Sequence, residues 1–191
     1  MRTKSKPTRI TFLALLRAVN VGGKNMISMA SLKSSFEKLG FEAVTTYINS
    51  GNIIFKTKPV DARKLEAKIE EMLAKEYKLE NKVVVRSFSE ISDLVESLPK
   101  DWNGDTRWRY NVIFLRHSIA SVEILDRLNP KSDIEQVLYR PGTLLWSVRV
   151  SEVSRTTMIK LSAQKIFQEM TVRNLNTTRK LYHLMKQIAD A

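Results

Sequence analysis

The sequence predicts an α+β protein built from two ferredoxin-like halves, each a split β-α-β plait with an antiparallel sheet, followed by a helical C-terminus. Short apolar strand patterns alternate with amphipathic helical ones in the order β-α-β-β-α-β over residues 10–87. Both predicted hairpins carry a glycine turn, and the same order begins again at Tyr110. The two halves are matched on element order alone, because their residues show no convincing repeat.

Residues 1–9 form a basic tail read as disordered. Ile10–Leu16 is almost continuously apolar, which suits a central strand covered on both faces. After a Gly-containing loop, Ser28 is placed to cap a helix that turns Met29, Leu32, Phe36 and Leu39 inward, with Gly40 as its stop. Val44–Ile48 and Ile53–Phe55 flank Asn49-Ser50-Gly51-Asn52 as a hairpin, Gly51 taking positive φ. A helix from about Asp61 to Tyr77 and a strand at Val83–Val85 complete the half that ends at residue 87. Ser87 with Glu90 three residues on makes a capping box for a helix within the connecting segment 88–106, which ends in a loop.

The second half covers residues 107–191. It is read as a strand at Tyr110–Leu115, a helix capped by Ser118 running to about Leu128, and a hairpin of Ile134–Tyr139 and Leu144–Val150 around Pro141-Gly142. Two helices are expected to follow, one from about Ser154 to Met170 and one from about Asn176 to Ala189.

The chain has 191 residues, is 43% hydrophobic and contains no cysteine, so disulfides, thiolate metal ligands and thiol nucleophiles are excluded. No apolar window reaches the roughly 18 residues that a membrane span needs, and a cytoplasmic protein with no membrane partner is expected. Two histidines are too few for a His-built metal site, and neither a metal nor a cofactor is expected. The net charge of +12 is concentrated at the ends: residues 1–58 hold ten Lys/Arg against two acids, and residues 151–191 hold seven against three. Ends that met in the fold would form a basic face attractive to phosphates.

Two polar stretches stand out. Arg17-Ala18-Val19-Asn20-Val21-Gly22-Gly23-Lys24-Asn25 joins the first strand to the first helix. Its Gly pair lets consecutive backbone N–H groups converge on an anion, with Arg17 and Lys24 adding charge. It lacks the P-loop spacing, since Asn25 replaces Ser/Thr. Thr171-Val172-Arg173-Asn174-Leu175-Asn176-Thr177-Thr178 leads into the last helix, with Asn174, Asn176 or Thr177 as its cap and Arg173 able to grip a phosphate bidentately. Trp108, Tyr110, Val112 and Phe114 share one strand face and read as core rather than as a base-stacking platform.

Together with Tyr47-Ile48-Asn49-Ser50-Gly51-Asn52-Ile53-Ile54-Phe55, these stretches resemble in order and spacing the bacterial family called domain of unknown function sixteen-ninety-seven. The likeness is dense over residues 10–56 and 170–185. It implies a cytosolic bacterial protein with paired ferredoxin-like subdomains and no activity that carries over. Ala18 stands where that family usually has Gly, Ser28 where it usually has Pro, and Leu175 where an aromatic is frequent.

The expected function is therefore a binding module for a phosphate-bearing ligand, nucleic acid first and a phosphorylated small molecule second. Arg17, Asn20, Gly22, Gly23, Lys24, Asn25, Asn49, Arg173, Asn174 and Thr177 would line a basic groove. An enzyme of a small phosphorylated or carboxylated metabolite, and a protein-interaction adaptor, are the alternatives. Oligomeric state is left open.

Overall fold

The apolar runs of the sequence are continuous because both faces of each sheet are covered. A computed structural model of the chain describes residues 8–20, 26–102 and 104–191. The first half contains β1 (Ile10–Leu16), α1 (Met29–Lys38), β2 (Glu42–Tyr47), β3 (Asn52–Thr57), α2 (Ala62–Tyr77), β4 (Val83–Ser87) and α3 (Phe88–Glu96). The second contains β5 (Trp108–Leu115), α4 (Ile124–Leu128), β6 (Glu135–Arg140), β7 (Thr143–Arg149), α5 (Thr157–Leu161), β8 (Met170–Asn174) and α6 (Leu175–Asp190). The strands form two four-stranded antiparallel sheets, ordered β2-β3-β1-β4 and β6-β7-β5-β8. Each half thus runs β-α-β-β-α-β-α, with its last strand beside its first.

Alternation along the strands sorts the core into three layers. Phe12, Ala14, Leu16, Ile53 and Phe55 face outward from the first sheet onto Leu32 and Phe36 of α1 and Leu65, Ile69 and Leu73 of α2. Leu13, Leu15, Ile54 and Val84 face the other way, where α3 and α6 fill the space up to Val112, Phe114 and Leu145 of the second sheet. Ile113, Leu115, Leu144 and Trp146 then face out onto α4 and α5. The 88–106 segment therefore contributes a packed central helix, α3 against α6.

Ser28 accepts from Ser31 N as the cap of α1, and both bonds of the Ser87/Glu90 capping box are formed. Three expectations are corrected. The helix expected over residues 154–170 is instead a 3-10 turn at Val150–Arg155, the five-residue α5, and a second 3-10 turn at Lys165–Glu169. Buried Glu135 explains part of the change: its Oε1 accepts from Thr157 N at 2.8 Å, which holds Thr156 extended and starts a new helix there. The helix expected from Ser118 divides into a 3-10 turn at His117–Ile119 and α4, because Ser118 Oγ donates to Glu169 rather than capping. Met170–Asn174, expected as helix end and loop, is the edge strand β8.

The face of β5 expected as core is so only in part: Val112 and Phe114 are buried and Tyr110 packs on buried Trp102 with ring centroids 5.0 Å apart, whereas Trp108 is half-buried under the Arg149 guanidinium. Among the described residues no helix is long and apolar enough to cross a membrane, and no group of three or more His, Cys, Asp or Glu is placed to hold a metal.

Candidate functional site

The two polar stretches, more than 140 residues apart in sequence, meet. The turn between β2 and β3 closes onto the end of β1 through Leu16 N, which donates to Gly51 O at 2.8 Å. Gly51 has φ +70°, and a Cβ there would lie 2.7 Å from Leu16 Cβ, so both conformation and space demand glycine. Arg173, opposite Val112 in β8, reaches across from the second half. Its Nε donates to Asn52 Oδ1 at 2.5 Å, and its Nη2 donates to Leu16 O at 2.9 Å and Ser50 O at 3.0 Å. Nη1 donates to Val172 O at 2.8 Å. Fully buried Asn52 turns its own amide onto Tyr47 O and Ser50 Oγ.

Among the described residues no carboxylate faces Arg173, and burial pulls its guanidinium down to about 10. It remains charged at neutral pH, stabilised by carbonyl and amide dipoles. The sequence suggests that Arg173 grips a ligand. In the structure its Nε, Nη1 and Nη2 all donate within the chain, so its contribution is to fix where the β1 exit and the β2–β3 turn sit.

Asn20 performs a second closure. Its Oδ1 accepts from Ile27 N at 2.7 Å and its Nδ2 donates to Ile27 O at 2.9 Å, so one side chain mimics a strand partner across the loop. The same Nδ2 donates to Asn49 Oδ1 at 2.9 Å, tying this loop to the β2–β3 turn. Gly22, Gly23, Lys24 and Asn25 lie outside the described residues. Ala18, Asn20 and Ile48 all have left-handed backbones, with φ of 51°, 57° and 48°. This explains why glycine suits position 18. Ile48 is β-branched and 52% exposed, so neither local preference nor burial accounts for it.

Arg17 lies with its guanidinium 5.1 Å from the centroid of the Phe167 ring, and its carbonyl accepts from Asn81 Nδ2. Asn174 is the cap of α6, its Oδ1 accepting from Thr177 N at 2.7 Å. Of the expected residues, the structure bonds Asn20 to Asn49 and sets Arg173 on the neighbouring carbonyls of Leu16 and Ser50, whereas the Arg17 side chain lies against Phe167, and Asn174 and Thr177 bond to each other at the start of α6.

A quasi-equivalent clasp joins the halves at the opposite end, and sequence reasoning did not find it. Arg86, opposite Leu13 in β4, donates through Nη2 to Leu115 O and to Gly142 O in the β6–β7 turn, and through Nη1 to Val85 O. Leu115 N donates to Gly142 O, as Leu16 N does to Gly51 O. Here, however, a carboxylate joins in. Glu66, 2% exposed, accepts from Val85 N at 3.1 Å and lies 4.0 Å from Arg86, 3.9 Å from Arg116 and 3.2 Å from His117 Nδ1. Arg116 also pairs with Glu70 and Glu169, each at 3.0 Å. Burial lowers the Arg86 guanidinium, and Glu90 and Glu66 pull it back up.

The signal available in the sequence was the pairing of Val85-Arg86-Ser87-Phe88 with Val172-Arg173-Asn174-Leu175, each an Arg one residue before a helix cap. Four-residue likenesses are too short to trust until the sheets align them.

No curated protein matches the chain. Its structure is similar to one described as "The structure of conserved bacterial protein SP0830 from Streptococcus pneumoniae", at 26% identity and a TM-score of 0.82, covering 93% of this chain and 99% of that one. The family described as protein of unknown function (DUF1697) matches residues 10–146, and this chain belongs to it.

Proposed function

We propose that the protein is a binding module for a phosphate-bearing ligand, nucleic acid foremost, engaged by the face that the β1–α1 loop, the β2–β3 turn and the start of α6 share. The observation that carries this reading is the cluster of three left-handed non-glycine residues, Ala18, Asn20 and Ile48, in two loops bonded to each other through Asn20 and Asn49. Each such residue costs on the order of 1 kcal/mol, and strain of this kind is retained where a surface must keep a particular shape. The Arg173 clasp adds to it by bringing together the two chain segments that hold the basic excess.

In this reading Arg17 supplies charge, Asn49 and Thr177 supply hydrogen bonds, and Gly22, Gly23, Lys24 and Asn25 supply the anion cradle that the sequence suggests. Asn20, Arg173 and Asn174 act from behind by holding the loops and capping α6. The same reading takes each half as a ferredoxin-like plait, supported by the order β2-β3-β1-β4 and its repetition as β6-β7-β5-β8, in a cytosolic bacterial protein.

The test is fluorescence anisotropy with labelled single-stranded RNA and duplex DNA at increasing salt. Affinity is expected to fall steeply with ionic strength, and Arg17→Ala is expected to weaken binding and reduce the log–log salt slope by roughly 0.7 to 0.9 without unfolding the protein. A flat salt response would sink the proposal.

One observation favours a second reading. Because Arg173 is spent on holding the halves together, the two polar stretches would serve a protein-interaction adaptor equally well. In that case Asn20→Ala lowers stability and leaves nucleic-acid affinity unchanged.

A further inference from the structure

Next to the Arg86 clasp lies a cleft of about 460 Å³, walled on one side by α3 and on the other by the β6–β7 turn and the segment that leaves β5. The charges on its two walls are opposite. Asp93 and Glu90 line it from α3, and Arg140 from the end of β6. Glu90 is engaged with Ser87 N and lies 3.8 Å from Arg86. Asp93 and Arg140, by contrast, form no ion pair with each other or with any other described residue, and among the described residues Arg140 bonds through its side chain to Tyr139 O alone, from Nη1 at 2.9 Å. Unneutralised opposite charges facing each other across a cleft make it complementary to a dipolar guest.

A third group is oriented into the same cleft. His117 Nδ1 lies 3.2 Å from Glu66 Oε1. That carboxylate already accepts from Val85 N and faces two guanidinium groups, so it has only acceptor capacity to offer the ring. A proton therefore sits on Nδ1, and in the neutral ring this leaves Nε2 as the acceptor, the way a buried carboxylate sets a histidine tautomer elsewhere. The His117 side chain is 30% exposed and lines the cleft. Leu94 and Pro141 supply apolar surface between the charged walls. The volume falls in the range of small-molecule sites.

We propose that this cleft binds a small zwitterion of the amino-acid class, with its ammonium on Asp93, its carboxylate on Arg140, and a further N–H or O–H donor on His117 Nε2. The site is separate from the loops assigned to the phosphate-bearing ligand, and neither proposal depends on the other.

The experiment uses the full-length chain and a thermal-shift panel of free amino acids at millimolar concentration, each beside its decarboxylated amine and its deaminated acid. At least one amino acid is expected to raise the melting temperature where its two single-charge analogues do not. Asp93→Asn, at an exposed position, is expected to leave the unliganded melting temperature unchanged, and both it and Arg140→Gln, at a half-buried one, are expected to weaken binding roughly tenfold or more. Nitrogen-15 spectra of the His117 ring are expected to show the Nδ1–H tautomer and a shift at Nε2 on binding. The proposal is overturned if no zwitterion shifts the melting temperature, if an amine or an acid alone does so equally, if both variants bind as the parent does, or if inorganic phosphate competes for the cleft.

Discussion

The two clasps that join the halves share a backbone frame and differ in charge. At one, Arg173 rests on Leu16 O, Ser50 O and the Asn52 amide, with no carboxylate in reach among the described residues. At the other, Arg86 makes the equivalent bonds to Leu115 O and Gly142 O but shares Glu66 with Arg116 and His117. The geometry of sheet edge, strand end and glycine turn requires one long forked donor at each end, and arginine supplies it. What surrounds the donor is free to vary. The end without a carboxylate keeps Ala18, Asn20 and Ile48 in left-handed backbone, whereas the end with one orients a histidine beside a cleft.

The comparison is tested most severely by removing each arginine. Arg86→Met is expected to destabilise the fold by about 3 to 5 kcal/mol, because it leaves the Glu66 carboxylate buried with one counterion fewer. Arg173→Met strands only neutral acceptors and is expected to cost less, about 2 to 3 kcal/mol. Urea denaturation of both variants gives the order, and an equal or reversed order would show that the carboxylate network is not what distinguishes the two ends.

A smaller effect is expected from Glu135, buried at the start of β6. Burial pushes its carboxyl up, but N–H donors from Thr157, Trp146 and Lys131 outweigh that and hold it below its ordinary 4.5. A carboxyl depressed in the folded state adds stability that is complete above pH 4.5 and is lost as pH falls below it. Glu135→Gln is expected to cost about 2 kcal/mol at neutral pH and to flatten the acid limb of the stability curve, measured by thermal melts from pH 7 downward. The smallest effect concerns Ala18, whose φ of 51° strains any residue with a Cβ. Ala18→Gly is expected to stabilise by about 0.5 to 1 kcal/mol, and a loss of stability there would show that the left-handed backbone is not the reason glycine suits the position.

How much of this was legible in the chain depends on the range of the deciding interaction. The β-α-β-β-α-β order of the first half, the Ser28 cap and the Ser87/Glu90 capping box were readable because each is settled within a few residues. Residues 154–170 were misread because their apolar spacing suits a helix, while the hydrogen bond that interrupts it comes from Glu135, 22 residues earlier. β8 was missed because five residues with three polar members look like a loop until β5 offers them a ladder. Of the site, the polar composition was visible and the role of Arg173 was not, since its partners lie more than 120 residues away.

By itself the sequence determined the alternation of strands and helices, the glycine turns and the concentration of positive charge at the two ends, because these follow from side-chain chemistry and local backbone preference. Tertiary structure alone decided which polar side chains are left to face solvent. A guanidinium or carboxylate takes whichever dipoles and charges the packing of distant segments brings within about 3 Å, and no short window of sequence contains that information.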